Sequence, residues 1–245
     1  MIEQPEDDPI HPWRLLALGA LLYSAWTLAA LLTPELFDAR ISYVSELSAR
    51  DQPFSLLYRS ADALAGACVG FAAWRVATLH RPLRLPGASR ARRLRPARVG
   101  WWALVGFGVA TMADALAPMQ CAPSHDLACR AAEQAGTVDW LHKVHTVTSS
   151  AAGMLLLVAI AALTWAARRA IRLHGSARRL GWVLVLSGVV GVLATGVMLY
   201  EIWVSTLLGP DDTALGWAHR TQLAAASVWL IALALTVRAV WRGDD

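Results

Sequence analysis

The chain has 245 residues, of which 56% are hydrophobic and only 16% charged, with a net charge of +4 and a mean hydropathy of +0.44. A soluble domain carries about 25% charged residues, so these values exclude an ordinary soluble globular domain. The basic balance does not point to nucleic acid, because no binding motif accompanies the basic clusters; contact with anionic membrane lipid headgroups is the simpler account.

Six apolar runs follow one another along the chain, at 12–33, 54–79, 99–118, 141–167, 181–204 and 216–240. A spanning helix takes about 20 mostly apolar residues, because the hydrocarbon is about 30 Å thick. Lipid offers no partner to an open backbone group, so each run is expected to be helical. The expected fold is all-α: a bundle of six transmembrane helices over residues 12–240, between an acidic tail 1–11 and a short tail 241–245. The first run is expected to remain as a span rather than to be cleaved. Its leading segment is acidic (Glu3, Glu6, Asp7, Asp8), and no small-residue cleavage site precedes Thr33-Pro34-Glu35.

Charge orients this bundle. Arg81, Arg84, Arg90, Arg92, Arg93, Arg95 and Arg98 follow the second run, and Arg168, Arg169, Arg172, Arg178 and Arg179 follow the fourth. Of the 22 basic residues, only Arg40, Arg50, Arg59, Arg130, Lys143 and Arg220 fall on the opposite side. The positive-inside rule makes the Arg-rich side cytoplasmic and places both termini there. Ten of the 12 tryptophans lie near expected helix ends, as an interfacial belt requires; Trp26 and Trp229 are the exceptions. One lysine against 21 arginines, with abundant alanine, fits a high-GC bacterial genome and a bacterial plasma membrane.

Small residues form stripes in two runs: Gly66-Ala-Cys-Val-Gly70 in the second, and Gly181, Gly188, Gly191 and Gly196 in the fifth. Such stripes let helix backbones approach, either within the bundle or between copies in a homo-oligomer. No internal repeat is evident, which weighs against an inverted-repeat transporter. Cys121 and Cys129 share the expected outer loop, where oxidation is permitted. A disulfide between them is favoured over a paired metal site, because their spacing fits no common zinc pattern. Cys68 reads as a small packing residue.

The remaining polar residues gather at the outer half. Arg59 and Asp62 open the second run, Asp114 precedes Pro118 at the end of the third, and Asp139, His142 and His145 open the fourth. Glu201 closes the fifth, His219, Arg220 and Gln222 open the sixth, and the first outer loop adds Ser45 and Glu46. Ionisable groups within spans are costly and tend to face an interior or a watery cavity. His142 and His145, three residues apart, share one helix face. With His219 or a neighbouring carboxylate they could supply three zinc ligands and leave a position open for water. Asp114, Ser45 and Glu46 would then be candidate catalytic groups, and Arg59, Asp62, Glu201 and Arg220 candidate substrate contacts. Interfacial histidines bonded to loops, and ion pairs that only hold the bundle, account for the same residues more simply.

The order of these features resembles the bacterial six-helix membrane family catalogued as domain of unknown function 998. Ser45-Glu-Leu-Ser-Ala49 followed by Pro53-Phe54 matches that family's segment after the first span. Asp114, Pro118 and Cys121 match its third-span end, His142 or His145 its fourth-span histidine, and Gly216 to Arg220 its polar start of the sixth. Leu116-Ala-Pro-Met-Gln-Cys121 departs from the family's usual Phe-Pro-Cys-Asp. A looser similarity runs to the CREST membrane hydrolases, which hold zinc with three histidines beside a serine and an aspartate. Their inventory is echoed by Ser45, Asp114, His142, His145 and His219, but not their helix count or HxxxH spacing.

Three functions remain open at this level: a zinc-dependent hydrolase acting on a lipid or amphiphile, a small-solute or proton-coupled transporter, and a non-catalytic membrane assembly protein. A haem held by His80 or His174 with His145 or His219 is a minor fourth reading.

Overall fold

Backbone amides in an apolar chain must find partners within their own segment, and the described residues accordingly form helices with no strand. A computed structural model of the protein describes residues 11–33, 38–78, 90–168, 176–209 and 213–242. The tails at 1–10 and 243–245, the arginines within 81–89 and 169–175, and His80 and His174 lie outside the described residues.

Helix α1 spans Pro12–Tyr23 and starts on a proline, whose missing N–H is unneeded in a first turn. A 3-10 turn at Ala25–Leu28 and a short α2 at Ala29–Leu32 complete the first apolar run. The run is therefore broken where one continuous helix over 12–33 is expected. The cause lies at Ser24, whose hydroxyl donates to the Ala20 carbonyl at 2.9 Å and lies 3.0 Å from the Ser227 hydroxyl. Back-bonding of this kind bends helices.

The remaining helices are α3 at Ser55–Thr78, α4 at Arg90–Leu116, α5 at Leu127–Gln134, α6 at Trp140–Ala167, α7 at Ser176–Leu208 and α8 at Leu215–Arg242. Five segments are long and apolar enough to cross a membrane: Pro12–Leu32, Pro96–Leu116, Trp140–Ala167, Arg178–Leu208 and Leu215–Val240. Helix α3 is not among these five, since Arg59, Asp62 and Arg75 dilute its apolar content. Two helices outrun their apolar segments. Helix α4 begins nine residues before residue 99, within the Arg-rich stretch, and α7 has 33 residues where 24 are expected. At 1.5 Å per residue α7 is about 50 Å long.

The long helices close a ring in chain order: α1 packs on α3, α3 on α4, α4 on α6, α6 on α7, α7 on α8, and α8 returns to α1. Leu16, Leu104, Phe107, Ile160, Trp229 and Leu230 fill its centre. Trp229 is fully buried there, with its indole N–H donating to the Thr164 hydroxyl at 3.2 Å, which explains its absence from the interfacial belt. The Gly66–Gly70 stripe meets Gly108 of α4 within the same chain; a Cβ on Gly66 would lie 2.6 Å from the Gly108 carbonyl oxygen. That contact forces the two backbones together and makes α3–α4 the most extensive helix pair.

One end of the ring is covered by two connections. The first, 38–54, contains a 3-10 turn at Val44–Ser48. The second, 117–139, carries the Cys121–Cys129 disulfide and helix α5. The loop closed by this bridge is short, so its chain-entropy contribution is about 2–3 kcal/mol. Asp126 caps α5 by accepting the Ala128 N–H at 2.8 Å. A buried cluster of Ala49, Met119 and Ala122, with the Arg50 N–H donating to the Met119 carbonyl at 3.0 Å, holds the two connections together.

Candidate functional site

The covered end is where the charged side chains meet. Glu46 is the most enclosed of the loop carboxylates, with 1% of its surface exposed. One carboxylate oxygen accepts the Tyr43 N–H at 3.1 Å, closing a capping box on the 3-10 turn. The other accepts the Ser124 N–H at 3.1 Å and the Ser124 hydroxyl, while that hydroxyl also lies 2.9 Å from Ser42 Oγ. Glu46 thus ties the first connection to the disulfide loop. Burial pushes its carboxyl above the usual range, opposed by the Ser124 and Tyr43 hydrogen bonds and reinforced by Glu133. The neighbouring Tyr43 phenol is pushed up to about 12, by burial first and then by Glu133 and Glu46.

Helix α8 braces the same connection. Arg220 donates through one nitrogen to the carbonyls of Ser42 at 2.8 Å, Ala39 at 3.1 Å and Gly216 at 3.1 Å. His219 Nδ1 accepts the Val44 N–H at 3.2 Å, so that nitrogen carries no proton. Glu201, at the end of α7, accepts the Ala214 N–H at 3.0 Å. Ser45 is half-buried on the 3-10 turn.

A second group lies deeper, among α3, α4 and α6. His145 Nδ1 is 3.1 Å from Asp114 Oδ1, and the same oxygen accepts the Thr148 hydroxyl at 2.6 Å. His145 is buried, and its Nε2 has no hydrogen-bond partner among the described residues. Asp62 stands within electrostatic reach of both Asp114 and His145. Arg59, one turn earlier on α3, donates to the Ala115 carbonyl at 2.9 Å. Helices α4 and α6 therefore bring a carboxylate and an imidazole together within the apolar bundle, with the Asp62 carboxylate of α3 in electrostatic reach.

His142 connects the two levels. Its Nδ1 accepts the Gln120 N–H at 3.3 Å, and its Nε2 lies 3.5 Å from Glu133 on α5. It sits one turn above His145 on the same face of α6. Asp139 is the N-cap of α6, accepting the His142 N–H at 2.9 Å and pairing with Arg50.

The residues singled out in the sequence thus share one end of the bundle but not one site. Asp114 and His145 meet, with Asp62 within electrostatic reach; Glu46, His219 and Arg220 organise loop backbone; Glu201 stands apart on α7. Among the described residues, no three His, Cys, Asp or Glu side chains gather in a way that could hold a metal ion. Each histidine has its own neighbours: His219 is turned to Val44, His142 to Gln120 and Glu133, and His145 to Asp114. Ser42, Ser124, Glu133 and Thr148 were not singled out, although each touches a residue that was. Thr148 follows His145 by three residues and shares its helix face, a spacing that could have identified it. Ser124 and Glu133 are joined to their partners only by the folding of the disulfide loop.

Residues 17–236 match the model of a family described as Protein of unknown function (DUF998). The chain belongs to this family. Membership agrees with the resemblance read from Ser45–Ala49, Asp114, Pro118 and the start of the last helix. No curated protein and no solved structure matches the chain.

Proposed function

We propose that this family member is a six-span protein of the bacterial plasma membrane that handles protons at its outer half, as a proton-coupled carrier of a small solute would. Both termini are cytoplasmic in this reading, α3 is the sixth span, and the disulfide end faces outward. Several observations support the orientation. The disulfide needs an oxidising compartment, and the Arg-rich connections belong on the cytoplasmic side. Helix α3 packs between α1 and α4, two candidate spans, which supports its crossing the membrane with them.

The observation that carries the functional reading is the 3.1 Å approach of Asp114 and His145 from two helices, within electrostatic reach of Asp62 on a third, with His145 Nε2 buried and unpartnered among the described residues. Ionisable groups at membrane depth are retained where they do work. The Asp114 carboxylate 3.1 Å from Nδ1 and the buried Nε2 are the groups that a proton relay through this imidazole would use. Infrared difference spectra of the protein in membranes, stepped between about pH 5 and pH 8, should contain carboxyl and imidazole bands. Asp114→Asn and His145→Gln should each remove part of that signal while the protein stays folded. Superimposable spectra for wild type and an Asp62→Asn/Asp114→Asn double variant would sink the reading. Loss of folded protein in both single variants would favour the assembly role instead.

A hydrolase reading uses the same pair without zinc. Asp114 would position His145 as general base toward water at the headgroup end of an amphiphile. It requires ester or amide turnover by the reconstituted protein that disappears in His145→Gln.

A further inference from the structure

The ends of α7 and α8 that carry Glu201 and Trp217 leave between them a crevice of about 240 Å³. Its floor is made by Ala194 and Ala218, both buried, and its edges by Val197 and Trp217, both more than half exposed. Among the described residues, Glu201 is its one charged lining residue, and no lysine or arginine lines it. The nearest cation along α8, Arg220, donates to loop carbonyls of Ala39 and Ser42 instead. Below Glu201, Val197, Leu193 and Val190 continue the same face of α7, each more than half exposed.

We propose that this crevice holds the ammonium headgroup of an aminolipid, with an acyl chain laid along the Val190–Val197 stripe. A carboxylate and an indole at the mouth of an apolar groove present two features that attract an ammonium group. An anionic headgroup meets Glu201 with no compensating cation among the described lining residues, so charge selects against it. The volume lies below the roughly 300–1,000 Å³ of sites that enclose a whole small ligand, which suits a headgroup whose chain stays in the bilayer. The site is separate from the Asp62–Asp114–His145 group and does not depend on that group's role.

Native mass spectrometry of the full chain, released from detergent with added phosphatidylethanolamine or phosphatidylglycerol of identical chains, tests the proposal. Wild type should retain the ethanolamine lipid about tenfold better. Glu201→Gln keeps an amide oxygen for the Ala214 N–H and removes only the charge, so the folded variant should bind both lipids alike. Trp217→Leu should weaken retention of the ethanolamine lipid, and Asp114→Asn should leave the preference intact. Equal retention of both lipids by wild type, or a preference that survives Glu201→Gln, overturns the proposal. Displacement of the lipid by millimolar free ethanolamine also overturns it, because the site would then serve a soluble amine.

Discussion

Glu46 illustrates how a buried carboxylate in this protein joins segments far apart in sequence. Its partners Tyr43 and Ser124 are separated by the whole of α3 and α4. Because burial raises its folded-state pKa above the ordinary 4.5, the folded chain holds this proton more tightly than the unfolded chain does. Its contribution to stability is therefore fully present in acid and declines as pH rises from about 4.5 through the folded value. Thermal unfolding of Glu46→Gln at a series of pH values should show that part of the slope flattened. A second effect should persist at every pH. Glutamine offers one amide oxygen and one NH2, so either the Tyr43 or the Ser124 N–H loses its acceptor, a loss of about 1–3 kcal/mol. An unchanged pH slope would mean that Glu46 does not ionise differently on folding. Asp114 and His145 belong to another class: their spacing in sequence is equally unremarkable, but both lie within spanning helices, where an ionised group has few alternatives to a partner.

At the scale of helices, glycine decides which faces touch. Gly66 and Gly108 bring α3 and α4 so close that a Cβ at Gly108 would lie 2.6 Å from the Gly70 Cα. Backbone cannot yield there as a flexible side chain could. Gly108→Val should therefore lower stability by about 2 kcal/mol or more, read as a fall in detergent unfolding temperature. Gly196 on α7 is the control, since a Cβ there meets nothing within 4 Å. Gly196→Ala should be neutral or stabilising by up to about 1 kcal/mol, through the better helix propensity of alanine. Equal losses at the two positions would contradict the packing. Helix α5 belongs to this scale too. Its Asp126 cap and the Cys121–Cys129 bridge hold one short amphipathic helix over the bundle, in a stretch where hydropathy shows only a polar loop.

For the molecule as a whole, the ring of α1, α3, α4, α6, α7 and α8 explains how a helix as polar as α3 can lie among spans. Its polar residues at the disulfide end are met by Ala115, Asp114 and His145 from neighbouring helices rather than by lipid. In the proposed six-span reading, the even number of spans returns the chain to the side on which it began. A fluorescent protein fused after residue 245 should fluoresce, as it does in the cytoplasm, and alkaline phosphatase fused within the disulfide loop should be active outside. A dark C-terminal fusion would mean that α3 does not cross and that five spans remain. The length of α7, about 50 Å, exceeds the hydrocarbon, so this helix tilts or projects beyond it.

Composition and charge by themselves determined that the chain is an all-α membrane protein, roughly where its helices run, and that its polar residues favour one end. They could do so because hydrocarbon thickness and backbone desolvation act on every segment locally, whatever its neighbours. The pairing of Cys121 with Cys129 was legible for a similar reason, since the two lie eight residues apart in one loop. Tertiary structure alone decided the rest. It split one polar layer into a loop-bracing group around Glu46 and a deeper group around Asp114, and it turned His219 to the Val44 amide while His145 faces Asp114. It also turned the Gly66–Gly70 stripe toward Gly108 of the same chain. Those outcomes depend on how whole helices rotate against each other, and that rotation is set by packing across the ring, which no single segment encodes.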